Sequence, residues 1–213
     1  LAGPIEAEPV QGIVNTLFGA NGVANCNNPT FAGLQSRFTF TAAGCGIANV
    51  QRLRTQLVNS ANVTTQGFDF QAQYRFALGK ADLVFGGTGT YTLDYQVQDF
   101  SAAGVVVQRS FNAVGLLNFQ TTAYPLPQLK GNIYLQGDLD IHQVRFQVNY
   151  IDGYRDQRTA AVFGPNTGAL AGASVTNGQN IGSFTTVDFT YRLALKSKTT
   201  LSLSVLNMLN QLP

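Results

Sequence analysis

The 213-residue chain has no tryptophan, one methionine, one histidine and two cysteines. Charge is scarce as well: 13 Lys or Arg and 11 Asp or Glu make up 11% of the residues. That is less than half the roughly 25% of an ordinary soluble domain. A soluble monomer normally keeps many more charges in water, so this composition argues against one. Long apolar runs are missing too. None reaches the roughly 18 residues that a membrane-crossing helix requires. The net charge is +2, the pI is near 8.6, and the basic residues are scattered. Pairs such as Arg52 and Arg54 are too small for a phosphate-binding stripe, which excludes nucleic acid as a partner. The single His142 is remote from Cys26 and Cys45 and belongs to no Ser/His/Asp constellation. Neither a metal centre nor a catalytic triad can be assembled, and no cofactor is implied.

What is present is uncharged polarity and aromatic surface. Asn and Gln total 35, Gly 22, Phe 15 and Tyr 8, and mean hydropathy is +0.03. A transmembrane β-barrel fits this combination, because its strands alternate lipid-facing apolar with lumen-facing polar residues.

The alternation is visible from residue 63 onward. In Val63–Phe76, the residues Phe68, Phe70, Ala72, Tyr74 and Phe76 share one face, opposite Asp69, Gln71, Gln73 and Arg75. Ala81–Tyr95 sets Leu83, Phe85, Gly87, Gly89, Tyr91, Leu93 and Tyr95 against Thr88, Thr90, Thr92 and Asp94. In Gln128–Gly137, Leu129, Ile133 and Leu135 oppose Lys130, Asn132, Tyr134 and Gln136. Next, Val144, Phe146, Val148 and Tyr150 alternate with Gln143, Arg145, Gln147 and Asn149. Phe184–Leu195 places Val187, Phe189, Tyr191 and Leu193 against Asp188, Thr190 and Arg192, and Thr199–Leu206 aligns Leu201, Leu203 and Val205.

Seven charges inside these predicted strands (Asp69, Arg75, Asp94, Lys130, Arg145, Asp188 and Arg192) avoid the apolar face. Turns are expected at Leu78-Gly79-Lys80, Gly137-Asp138-Leu139-Asp140 and Lys196-Ser197-Lys198, and long loops at 96–127 and 152–182. Short and long connections alternating in this way match the short periplasmic turns and longer extracellular loops of outer-membrane barrels. A soluble antiparallel sandwich alternates too, but its polar face usually carries more Lys and Glu.

Residues 1–49 lack a period of two. A short helix is expected within Ile5–Leu17, followed by an Asn- and Gly-rich loop holding Cys26 and Cys45, and Val50–Val58 reads as one ambiguous strand. A disulfide between the two cysteines is the better reading of the pair, implying an oxidising compartment. The start, Leu1-Ala2-Gly3-Pro4, has no signal-peptide character, so export is expected to rely on a segment outside this chain.

Four stretches carry a family resemblance. They are Leu57-Val58-Asn59 with Asn62–Phe70 and Tyr74-Arg75-Phe76; Val148–Tyr154; Phe184–Leu193; and Leu206-Asn207-Met208-Leu209-Asn210-Gln211-Leu212-Pro213. In this order and spacing they resemble the C-terminal barrel half of TonB-dependent outer-membrane receptors of Gram-negative bacteria. The resemblance covers about 1–213 and is strongest from 47 onward.

It implies an all-β, antiparallel transmembrane barrel of 22 strands, of which this chain holds about six or seven and is therefore a fragment. It also implies a plug domain, the remaining barrel strands, outer-membrane lipid and TonB as partners. The extracellular ligand would be a scarce nutrient: a siderophore–metal complex, a cobalamin or an oligosaccharide. No enzyme activity is implied. Neither the plug nor a TonB-contacting box is recognisable here. The expected organisation is an extracellular loop with a short helix at 1–49 and antiparallel strands over 50–213.

Candidate ligand- or lumen-facing residues are Asp69, Gln71, Gln73, Arg75, Lys130, Arg145, Gln147, Asn149, Asp188 and Arg192. The plainer role for each is hydration of the wall or a bond to plug and neighbouring strands. Tyr74, Tyr91, Tyr95, Tyr150 and Tyr154 suit interfacial girdle positions. Tyr124 and Phe163 are loop candidates for ligand contact, and His142 is expected on the periplasmic side. A passive porin, an outer-membrane lipase or protease barrel and a lipocalin-like soluble barrel are the competing readings.

Overall fold

A computed structural model describes residues 5–59, 61–118, 123–157, 161–162, 174–175, 179–195 and 199–212. Phe163, Arg158, the Lys196–Lys198 turn and Pro213 lie outside the described residues. The chain divides into two units. One comprises Leu1–Thr65, Tyr95–Ala113 and Asn118–Tyr124, the other Gln66–Asp94, Val114–Leu117 and Pro125–Pro213.

The first unit is organised by helix α1 (Val10–Phe18). Val10, Ile13, Val14 and Leu17 follow helical spacing, so one stripe faces inward. Ile13, Leu17 and Phe18 are buried with Leu34, Phe38, Ala102 and Val107. The Phe18 ring stands edge-on to Phe38 and Phe40, at 5.1 and 6.2 Å.

The helix begins later than the spacing suggests. Ile5–Ala7 is instead an extended segment paired with Leu57–Asn59. Pro9 explains the difference, because it disfavours helix in the residue before it and is tolerated only at a helix start. The single strand expected over Val50–Val58 is two: Val50–Leu53 pairs with Phe38–Phe40, and Leu57–Asn59 pairs with Ile5–Ala7.

Within the connection expected at 96–127, Phe100–Ala102 and Val105–Gln108 form a hairpin. Its turn residues Ala103 and Gly104 both have positive φ (50° and 79°), as the tight turns that match strand twist require. The hairpin delivers Ala102 and Val107 to the α1 core.

Cys26 and Cys45 are disulfide-bonded, with Cα atoms 5.6 Å apart, and pack against that core. Loop-closure arithmetic assigns about 3 kcal/mol to a crosslink of this length.

The second unit is dominated by six long strands: β1 (Val63–Leu78), β2 (Ala81–Val97), β3 (Leu129–Leu139), β4 (His142–Ile151), β5 (Phe184–Ala194) and β6 (Thr200–Val205). They lie side by side in chain order, and every pair whose register is described is antiparallel. The short Phe111–Asn112 strand joins at the far end of β2. Strands β3 and β4 run further than the alternation suggests. Gly137 to Leu139 continue β3, and the turn is made by Asp140 and Ile141, with Asp140 at φ 52°. Asp is among the few residues that accept such a φ readily.

Directly opposed residues in an antiparallel ladder share a face. One row therefore runs Phe85, Leu135, Phe146, Phe189, Val205 across β2 to β6. A neighbouring row runs Gly87, Ile133, Val148, Val187. Tyr150 lies towards the long-loop end of this apolar face, and His142 and Tyr191 towards the short-turn end. The eight residue steps from His142 to Tyr150 span about 27 Å of strand, or about 20 Å once tilted by 35–45°, near the ~25 Å apolar band of a barrel. The His142 ring nitrogen lies 2.7 Å from the Tyr191 hydroxyl, giving this end an amphipathic aromatic pair suited to a headgroup zone.

The sheet is open, and β1 and β6 form its edges, with every residue of each exposed. In hydrocarbon such edges demand hydrogen-bonding neighbours.

Candidate functional site on the polar face of the sheet

The opposite face of the same strands carries all of their charge. Asp82, inside Ala81–Tyr95 but not among the seven charges counted from the alternation, and Asp138, which the longer β3 takes in, obey the same rule. Asp138 pairs with Asp82 across β2/β3 and with Gln143 across β3/β4. No Asp, Glu, Lys or Arg of the six strands lies on the apolar face.

Five of the ten candidate residues join one continuous network. The Tyr134 hydroxyl on β3 donates to Gln73 Oε1 on β1 at 3.3 Å. The Arg145 guanidinium lies 3.8 Å from the centre of the Tyr134 ring and donates to Gln147 Oε1 at 2.8 Å. Gln147 Nε2 donates to Asn149 Oδ1 (2.6 Å), and Asn149 Nδ2 to Asp188 Oδ2 (2.8 Å) and Thr186 Oγ1 (3.2 Å). The other Asp188 oxygen accepts from the Asn207 backbone N–H at 2.8 Å. Asn207 has φ 47°, and its side chain brackets Gln211, donating to its carbonyl and accepting from its N–H. Asp188 thus ties the wall to the turn that ends β6.

Tyr134 was not among the candidate residues. Its signal is an aromatic out of phase with the apolar alternation, between Asn132 and Gln136. It fits because the directly opposite residue on β2 is Gly86. A Cβ there would lie 2.6 Å from the Tyr134 hydroxyl oxygen and 2.7 Å from the carbon bearing it. On the apolar face the Phe70 ring covers Gly89 in the same way. The run Gly86-Gly87-Thr88-Gly89 therefore seats aromatic rings, one on each face, rather than cradling phosphate.

Gly86→Val is expected to displace Tyr134 and to cost about 1–3 kcal/mol, despite valine's higher strand propensity. Urea unfolding of the intact protein in micelles measures it. Adding Tyr134→Ala should recover part of the loss, as expected of a directly coupled pair.

A second group lies nearer the long-loop end. Thr90 donates to Asp69 at 2.6 Å, and Asn132 donates to Thr88 at 2.8 Å. With Gln71, Lys130 and Asn149 these residues line an open depression of about 680 Å3. Arg192 stands apart, opposite Gln143 and Ser202, beside Asp138, Asp140 and His142 at the short-turn end. Arg75, Lys130 and Arg192 form no ion pair among the described residues. No group of three or more potential metal-binding side chains occurs among the described residues. Tyr124 is 86% exposed in the first unit.

No curated protein matches this chain, and no solved structure does either. A family model described as TonB dependent receptor-like, beta-barrel, matches residues 16–208. That match spans nearly the whole chain, including the six strands and most of the helical unit. With one charge-free apolar face and one hydrogen-bonded polar face, the chain belongs to the TonB-dependent receptor-like β-barrel family of outer-membrane transport proteins.

Proposed function

We propose that this chain forms part of the wall of an energy-coupled importer for a large, scarce nutrient. The family match over residues 16–208 carries this reading. The arrangement of the two sheet faces supports it. The apolar face meets lipid, and the polar face, with Asp69, Gln71, Gln73, Arg75, Lys130, Arg145, Gln147, Asn149, Asp188 and Arg192, faces the lumen. Residues 1–49 and the connections at 96–127 and 152–182 lie on the extracellular side, where the Cys26–Cys45 bond persists in an oxidising medium. Further strands pair with the edges at β1 and β6, a plug domain occupies the lumen, and TonB supplies the energy.

Deleting the gene in its host and restoring it tests this reading. Uptake is followed under limitation for iron, cobalamin and oligosaccharide in turn, with TonB present or removed. The expected result is a saturable uptake that is lost with either gene. Uptake that persists without TonB and rises linearly with concentration would identify a passive porin instead.

A further inference from the structure

We infer that the open edge of the Phe38–Phe40 strand, in the first unit, docks an extended, uncharged segment of a different protein, which pairs with it as a third strand. Such docking is separate from import and does not require the importer reading.

The ladder bonds show which edge is open. The Arg54 N–H donates to the Arg37 carbonyl at 2.9 Å, and the Thr41 N–H to the Asn49 carbonyl at 2.9 Å. Arg37 and Thr41 therefore turn these backbone groups towards Val50–Leu53, as does Thr39 between them, and Phe38 and Phe40 turn theirs away. Those two N–H and two C=O groups make no hydrogen bond among the described residues. Natural edges are commonly blunted by charge or proline, and the strand Phe38-Thr39-Phe40 has neither.

The same two phenylalanines line a cavity of about 380 Å3. Their rings stack, with centres 5.9 Å apart. Asn27, Asn28, Gln35 and Ser36 supply the polar lining, Pro29 and Ala32 the rest, and no charged side chain takes part. The polar side chains are already engaged locally. Gln35 Oε1 accepts from the Asn27 N–H (2.8 Å), Asn28 Oδ1 accepts from the Thr30 N–H (3.1 Å), and Ser36 Oγ donates to the Gly33 carbonyl (2.9 Å). What is left to satisfy is backbone, and an extended chain offers N–H and C=O groups at the matching spacing. Directly opposed residues share a face, so the partner's side chains opposite Phe38 and Phe40 lie beside those rings and suit them best when apolar. Every lining residue falls inside the loop closed by Cys26–Cys45, so the disulfide holds the edge ready and lowers the ordering cost of binding.

The test titrates the intact protein in detergent micelles with fluorescein-labelled, amidated pentapeptides Thr-Xaa-Thr-Xaa-Thr, both Xaa being Val, Leu, Phe or Tyr. Saturable binding of at least one peptide is expected, with slowed amide exchange at Phe38 and Phe40. N-methylation of both Xaa removes two of the four backbone bonds and should weaken binding about 10- to 100-fold. N-methylation of the middle Thr, whose N–H points away from the strand, should leave it unchanged. Ala32→Trp, at an exposed position lining the cavity, should abolish binding without moving the unfolding midpoint.

Absence of saturable binding overturns the inference. So does binding that survives methylation of both Xaa, which would rest on side chains alone, and binding that survives Ala32→Trp. Dimerisation of the intact protein that Ala32→Trp reverses would overturn it in favour of a second copy of this chain.

Discussion

Phe146→Arg is expected to destabilise the folded protein by about 2–4 kcal/mol in phospholipid vesicles, the cost of an arginine on the lipid face near the bilayer midplane. Phe146 sits at the centre of the row Phe85, Leu135, Phe146, Phe189, Val205, and its ring lies 5.1 Å from that of Phe189. Loss of this ring contact adds to the charge penalty. Gln71→Arg on the polar face places the same charge where water or a polar partner meets it. It should change stability by no more than about 0.5 kcal/mol. Urea midpoints of the two variants, read by the heat-modifiable gel shift of folded barrels, separate the cases. Equal effects would mean that the apolar face does not meet lipid.

The second large effect is expected within the first unit. Glu8 is almost wholly buried, its side chain 2% exposed, and both its carboxylate oxygens lie 2.6 Å from Arg37 Nη1. The Gln56 backbone N–H also donates to it at 3.0 Å. One acidic side chain thus fastens the segment before α1 to two distant stretches of the first unit. Removing one partner of a buried pair leaves the other charge uncompensated, at about 3–5 kcal/mol. Arg37 retains 14% exposure, which places Glu8→Gln near the lower end, at about 3 kcal/mol.

Amide hydrogen exchange in α1 of the intact protein should accelerate about 100-fold. The double variant Glu8→Leu, Arg37→Met should recover most of the protection, since an apolar pair of similar volume is often as stable as the ion pair. Unchanged exchange in Glu8→Gln would show that the pair contributes nothing. The Asp99–Arg109 pair is a useful contrast. Its side chains are 43% and 82% exposed, and such pairs contribute about 0–1 kcal/mol.

How much was legible follows from the range of the interactions involved. The strands from Val63 onward were readable because a period of two is local: each residue's face is set by its immediate neighbours. For the same reason Asp82 and Asp138, absent from the seven counted strand charges, also fall on the polar face. The helix start was misplaced by a few residues because the spacing of Ile5, Val10 and Ile13 ignores the restriction imposed by Pro9. The Glu8–Arg37 pair, 29 residues apart, left no local signal. Nor did the docking of the Phe100–Gln108 hairpin on α1, which turns part of an expected loop into core.

The ten candidate residues share one face of the sheet, yet the alternation could not say which of them touch. Register brings Gln147 opposite Asp188 and Tyr134 opposite Gly86. A one-residue slip in any strand would have sent those side chains to the other face.

By itself, then, the sequence determined the class of surface this protein presents. Scarce charge excluded a soluble norm, the missing apolar runs excluded membrane-crossing helices, and alternation confined every strand charge to one side. Those properties depend on composition and nearest neighbours. Only the tertiary structure decided that segments 5–59 and 95–113 share one core, that a buried ion pair fastens it, and that a tyrosine seated on a glycine links β1 to β5. Each of these joins residues distant in the chain, and only the folded backbone selects which distant residues meet.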